Sequence, residues 1–146
     1  MRVAVGSDHA GFKLKGRILE HLAARGQEVI DVGTFNEEST DYPDHAFAVT
    51  DAIRDGRAEV GILCCGSGQG MAMAANRVAG IRAAVVADTF SARVAREHND
   101  ANVLCLGQRV VGDGLALDCV DAWLGATFEG GRHQRRVARI ERRGQE

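Results

Sequence analysis

Short apolar runs alternate along this chain with longer stretches in which apolar residues recur every three or four positions. Residues 3–6 read as a buried strand. Residues 12–25 then put Leu14, Ile18 and Leu22 on one face, with Lys13, Lys15, Arg17 and Glu20 elsewhere. That is the spacing of an amphipathic helix, and Gly26 stands where its C-cap belongs. A second strand is expected over residues 29–32. Residues 34–43 hold turn chemistry and the only proline. A helix follows over 46–53, stopping near Gly56, and a third strand over 60–64. The glycine-rich segment 66–70 opens a short helix over 71–77. After it come a strand over 81–87, a helix over 91–98, a strand over 103–106, a helix over 115–124 and a basic helix over 132–143. Five strands alternating with helices predict an α/β fold, a parallel sheet joined by right-handed crossovers and covered on both faces. No repeat, linker or low-complexity tract interrupts it, so residues 1–146 read as one domain.

In such sheets ligands bind beyond the carboxyl ends of the strands. The polar clusters fall at those places: Ser7, Asp8 and His9 after the first strand, Cys65, Gly66, Ser67 and Gly68 after the third, Asp88 after the fourth, and Gly107, Gln108 and Arg109 after the fifth. Composition narrows the partners. Eighteen basic and 20 acidic residues leave a net charge of −2, which gives no general reason to expect nucleic acid or a membrane surface. The first apolar stretch is too short for a signal peptide, and no run approaches a membrane span. Four cysteines without a CxxC pair lack metal-ligand spacing. They suit a reduced, cytoplasmic protein.

Each candidate carries a plain reading beside the chemical one. Gly66, Ser67, Gly68, Gln69 and Gly70 let a backbone approach a ligand and offer N–H groups to an anion, or they make a tight turn. A dinucleotide fingerprint fails because Met71 stands where a small residue is needed, although Asp88 is spaced for a ribose contact. Cys65, just before this loop, is placed for an active thiol or for core packing. Cys64 points the other way along the strand and reads as core, as do Cys105 and Cys119. Asp8 and His9 face the same crevice, or Asp8 caps the next helix. His98 and Asn99 end a helix, where an imidazole also suits the dipole. His21 and His45 read as surface residues. Arg132, Arg135, Arg136 and Arg139 form one helical stripe, either a solvated face or a phosphate clamp. Nucleic acid is a third option, but the stripe has no aromatic interleaving.

The segments GSDHAGFKLK (6–15), DVGTF (31–35), TDYPD (40–44), GILCCGSGQGMAMAANRVAGIRA (61–83), SARVAREHNDANVLCLGQRVVG (91–112) and DAWLGATFEGGRHQRRV (121–137) together resemble the type B ribose-5-phosphate isomerase and galactose-6-phosphate isomerase family. The resemblance spans nearly the whole chain in the family's order. It implies a Rossmann-like three-layer α/β/α sandwich with no metal and no organic cofactor. It also implies aldose–ketose interconversion of a phosphorylated pentose. Asp8, His9, Tyr42, Gly66, Ser67, Gly68, Gln69, Gly70, Asn99, Arg109, Arg132 and Arg136 would then bind substrate, His98 would donate the proton that opens the sugar ring, and Asp8 would join Cys65, Ser67 and His98 as a catalytic residue. Family members use as base either a cysteine before the loop or a glutamate after it. Cys65 holds the first position and Met71 the second, so the chain resembles the cysteine-using branch. The chemistry asked of these residues is a proton moved from carbon 2 to carbon 1 through a cis-enediolate. Ser67 and the loop N–H groups would stabilise the developing charge. Rival expectations are an allose-6-phosphate or galactose-6-phosphate isomerase and a non-catalytic phosphosugar-binding module. The whole residue set in one chain favours a self-sufficient homo-oligomer, and the resemblance implies a homodimer, possibly a tetramer, with shared sites. In it the C-terminal helix, about 131–146, reaches to a partner subunit.

Overall fold

The computed structural model describes residues 1–144; the last two residues of the expected C-terminal helix, Gln145 and Glu146, lie outside it. Five strands, β1 (Arg2–Ser7), β2 (Glu28–Asp31), β3 (Val60–Cys65), β4 (Ala83–Val85) and β5 (Val103–Gly107), form one all-parallel sheet in the order β2-β1-β3-β5-β4. The helices are α1 (Phe12–Ala24), α2 (Tyr42–Arg54), α3 (Gln69–Ala75), α4 (Thr89–Glu97), α5 (Asp113–Leu124) and α6 (Arg132–Gly144). A 3₁₀ turn over His9–Gly11 leads into α1.

Because successive residues of a strand face opposite ways, each central strand feeds two cores. Val3, Val5, Ile62, Cys64, Leu104 and Leu106 meet α1, α4 and α5 on one face. Ala4, Leu63, Cys65, Val103 and Cys105 meet α2 and α3 on the other. This is the three-layer sandwich. Among the described residues no helix is long and apolar enough to cross a membrane.

Helix ends follow the glycines. Beyond α1, Gly26 takes φ +76° and its N–H donates to the Ala23 carbonyl, while the N–H of Gln27 donates to that of Leu22. That left-handed C-terminal motif is open to glycine at little cost; Gly56 ends α2 the same way. Most boundaries shift by a residue or two, and two elements change in length by four residues or more. The second helix starts at Tyr42, four residues early, because Pro43 lies in its first turn, where a missing N–H costs nothing. The fourth strand keeps three residues instead of seven. It is an edge strand. The N–H of Arg82 before it is taken by the Asn102 side chain, and beyond it the chain turns away to start α4.

Three side chains are deeper than their type suggested. Lys15 is 1% exposed, with Nζ 2.5 Å from Asp31 Oδ1 and lying over the Phe35 ring. His21 pairs with Asp121 at 2.7 Å, and His45 contacts the Thr40 hydroxyl at 3.0 Å. The two histidines are therefore part-buried, not surface residues.

Candidate active site

The sheet order reverses between β1 and β3, the place where an open α/β sheet leaves a crevice at its carboxyl edge. A cleft of about 380 Å³ opens there, walled by Asp8, His9, Tyr42, Cys65, Gly66, Ser67, Gly70 and Arg109, with Ala10 and Val110. Of the residues expected from the sequence, these come together. Gly68 and Gln69 stand behind the wall: Gly68 takes φ +84° against β5, and Gln69 begins α3 in solvent.

The pleat decides which cysteine faces the cleft. Cys65 lines it while only 5% exposed, and the N–H of Gly68 points at its Sγ from 3.0 Å. Cys64, in the opposite core, has its thiol pushed far up by burial and then by Cys65; burial does the same to Cys105. Those two thiols stay protonated at neutral pH. Met71, at the alternative base position, is fully buried.

Around Cys65 the polar groups are fixed by the backbone. Asp8 both caps and lines: its Oδ1 accepts from the N–H groups of Ala10 and Gly11 at 3.0 and 3.1 Å, which leaves Oδ2 for the cleft. The N–H of Thr40 donates to His9 Nδ1 at 3.2 Å. A backbone N–H has no other role, so the neutral ring carries its proton on Nε2. The Ser67 hydroxyl accepts from the N–H of Gln69 and keeps its own proton to give. Among the described residues, the amides of Gly66 and Ser67 donate to nothing within the chain. Arg109 reaches over Gly66 with its guanidinium, and its backbone N–H donates to the Gly66 carbonyl. Gly107 sets the depth of the loop: a Cβ there would meet the Ser67 backbone at 2.6 Å, so only glycine lets the loop close on β5.

The other expected residues do not join the cleft. His98 and Asn99 follow α4, which runs back to the amino edge of the sheet, and Arg132 and Arg136 are exposed on α6. A five-residue strand separates the two edges, roughly 17 Å at its rise per residue. At that second place His98 stacks on His133, centroids 4.3 Å apart and planes within 8°. Glu129 Oε1 lies 3.6 Å from the Nε2 of both rings. Burial, then His98, then Arg132 hold the His133 imidazole below its ordinary value. Asn99 lines a separate hollow with Asn76, Arg82, Ala101 and Ile140. Arg82 ties α6 to this edge through Glu141 at 2.6 Å. Asp88, expected at the crevice, is instead the N-cap of α4, accepting from the Ser91 N–H and hydroxyl at 2.7 and 2.9 Å.

Sequence reasoning missed Glu129, His133 and Thr40. The first two were signalled by their i, i+4 spacing beside the arginines. Thr40 acts through its backbone and left no signal.

The family model described as ribose/galactose isomerase matches residues 3–140. Ribose-5-phosphate isomerase B of Escherichia coli (strain K12) is 55% identical over 139 residues, covering 95% of this chain and 93% of that protein. A solved ribose-5-phosphate isomerase B of Clostridium thermocellum superposes with a TM-score of 0.98 at 52% identity, covering 99% of this chain and 98% of the other. The Mycoplasma genitalium enzyme, solved with bound ribulose-5-phosphate, superposes with a TM-score of 0.94 at 45% identity, covering 99% and 97%.

Proposed function

The chain belongs to the ribose/galactose isomerase family, and from that premise we propose that it interconverts D-ribose 5-phosphate and D-ribulose 5-phosphate, with Cys65 as general base. The observation that carries this reading is the convergence of a thiol, a carboxylate, an imidazole N–H, a hydroxyl and two open amides on one cleft. The bound ribulose-5-phosphate of the Mycoplasma genitalium relative agrees with it.

Each group has a task. Asp8 and His9 hold sugar hydroxyls. Cys65 takes the proton from carbon 2 and returns it to carbon 1, help typically worth about 10²–10⁴-fold. The Ser67 hydroxyl and the amides of Gly66 and Ser67 face the enediolate oxygen, and their donors are in place before charge develops there. Arg109 and Tyr42 close the cleft over the substrate.

Ring opening and the phosphate clamp are assigned to His98, Asn99, Arg132 and Arg136, which lie at the opposite edge of the sheet. A complete site therefore needs a second copy, and a two-fold homodimer supplies two equivalent sites, each built from both chains. The C-terminal helix reaches that partner. Four free cysteines suit a reducing compartment, and we place the protein in the cytoplasm.

The test is turnover on ribose 5-phosphate, allose 6-phosphate and galactose 6-phosphate, with solvent-deuterium incorporation followed in each. Highest kcat/KM on the pentose, with exchange at the carbon-bound position, is expected. Preference for a hexose would overturn the substrate assignment. Binding without exchange would make the chain a phosphosugar-binding module.

A further inference from the structure

His133 is 7% exposed, and its Nε2 is buried without a hydrogen-bond partner among the described residues. A buried polar nitrogen left unpaired is costly and needs a reason. It is aimed at a cluster: one ligand atom each from His98, Glu129 and His133 lie within 4.8 Å of one another. Both Nε2 atoms sit 3.6 Å from the same carboxylate oxygen, too long for a hydrogen bond.

We propose that His98, Glu129 and His133 are a binding site for a transition-metal dication of the zinc class, and that an ion bound there stops turnover by holding His98. The second half rests on the ring-opening task given to His98 above. The metal is inhibitory and takes no part in the isomerisation.

The spacing supports this. Bonds of about 2.1 Å in a tetrahedral zinc site place ligand atoms roughly 3.4 Å apart. Two of the three edges are already within a few tenths of an ångström of that. The third closes by tilting the His98 ring out of its stack, which its 38% side-chain exposure permits. The three residues are held from different segments: the N–H of Glu129 donates to the Glu97 carbonyl, that of His98 to Val94 and that of His133 to Gly130. Two imidazoles and one carboxylate, with a fourth position open, suit zinc, nickel or copper. They do not suit magnesium or calcium, which take oxygen ligands. Arg132 and Arg136 stand near His133 and oppose a dication. The Glu129 charge and the satisfied His133 nitrogen act the other way.

The experiment is calorimetric titration of the metal-free protein with Zn²⁺, with Co²⁺ absorption as a second readout. The Cys65→Ala variant is run beside it to remove the thiol that lines the cleft. One ion per chain is expected in both. Glu129→Gln, at a half-exposed loop position that tolerates change, and His133→Gln should each weaken binding at least tenfold. Unchanged affinity in Glu129→Gln, or loss of binding in Cys65→Ala alone, would overturn the site. Turnover of ribose 5-phosphate should fall in step with Zn²⁺ occupancy and return with chelator. Full activity at saturation would overturn the inhibitory half while leaving the metal site standing. No turnover in the metal-free protein would instead sink the proposed function, and the titration would still judge the site.

Discussion

Cys64 and Cys65 are separated by one peptide bond, and the strand's pleat sends one thiol into the core under α1 and the other to the cleft. Their environments predict opposite outcomes for the same substitution. Cys65→Ala removes the proposed base and should lower kcat by at least the 10²–10⁴-fold typical of general-base help, with substrate affinity within a few-fold. Cys64→Ala removes a packed sulfur and should cost stability, on the order of 1 kcal/mol, with most activity kept. Initial rates and melting curves on both variants check this, and the reverse pattern would move the base to Cys64. This contrast was legible in the sequence because a period of two needs no knowledge of partners. Lys15 was not legible. It borders the stripe of Leu14, Ile18 and Leu22 on α1, but its burial depends on Asp31, sixteen residues away at the end of β2. The helical spacing only set it apart from the apolar face, with the other charged residues. His133 was hidden likewise among arginines, its burial set by how α6 lies on the end of α4.

Helix α4 carries its N-terminal charge on Asp88, and that charge makes the element sensitive to acid. The Ser91 N–H, and then its hydroxyl, hold the Asp88 carboxyl below the usual carboxylate range. A carboxyl lowered in the folded state contributes stability above its unfolded value and loses it as pH falls through the folded value. The helix dipole acts with the same sign. Asp88→Asn keeps a capping oxygen but no charge. It should melt lower than the parent at neutral pH, and the gap should narrow as the pH is taken down through the carboxylate range. A constant gap from pH 7 to pH 3 would show that the charge contributes nothing. The elements themselves were mostly legible from hydrophobic period. The errors fell where local chemistry has two meanings. Pro43 signals a turn or a first helical turn, and residues 81–87 look like a full strand though their ends are claimed by Asn102 and by α4.

At the scale of the whole molecule, the parallel sheet separates the proposed machinery into two halves. A residue at or just beyond the end of a strand reaches the carboxyl edge, as Asp8, Cys65 and Arg109 do, whereas a residue after a crossover helix returns to the amino edge, as His98 and Asn99 do. That rule was available from the alternation of elements, and applied strictly it already places His98 away from Cys65. It does not tell how α6 lies, since no strand follows it. Here α6 buries His133 and Val137 against the body, is tied by Arg82 to Glu141, and leaves Arg132, Arg136 and Ile140 exposed. On the pairing proposed above, that exposed face is the one turned to a neighbour. If two copies pair about a two-fold axis, each site takes Cys65 from one chain and Arg136 from the other. Cys65→Ala and Arg136→Ala should each be impaired as homodimers, the second mainly in KM, because a charge-assisted bond worth about 1.5–3 kcal/mol is lost. Co-expression of differently tagged chains gives mixed dimers in which one site holds both defects and the other neither. Those purified mixed dimers should recover up to about half the kcat/KM of the parent dimer, by the same symmetry. Mixed dimers no more active than the two homodimers would place Cys65 and Arg136 in one chain's site, and the assignment of α6 to a partner would fall.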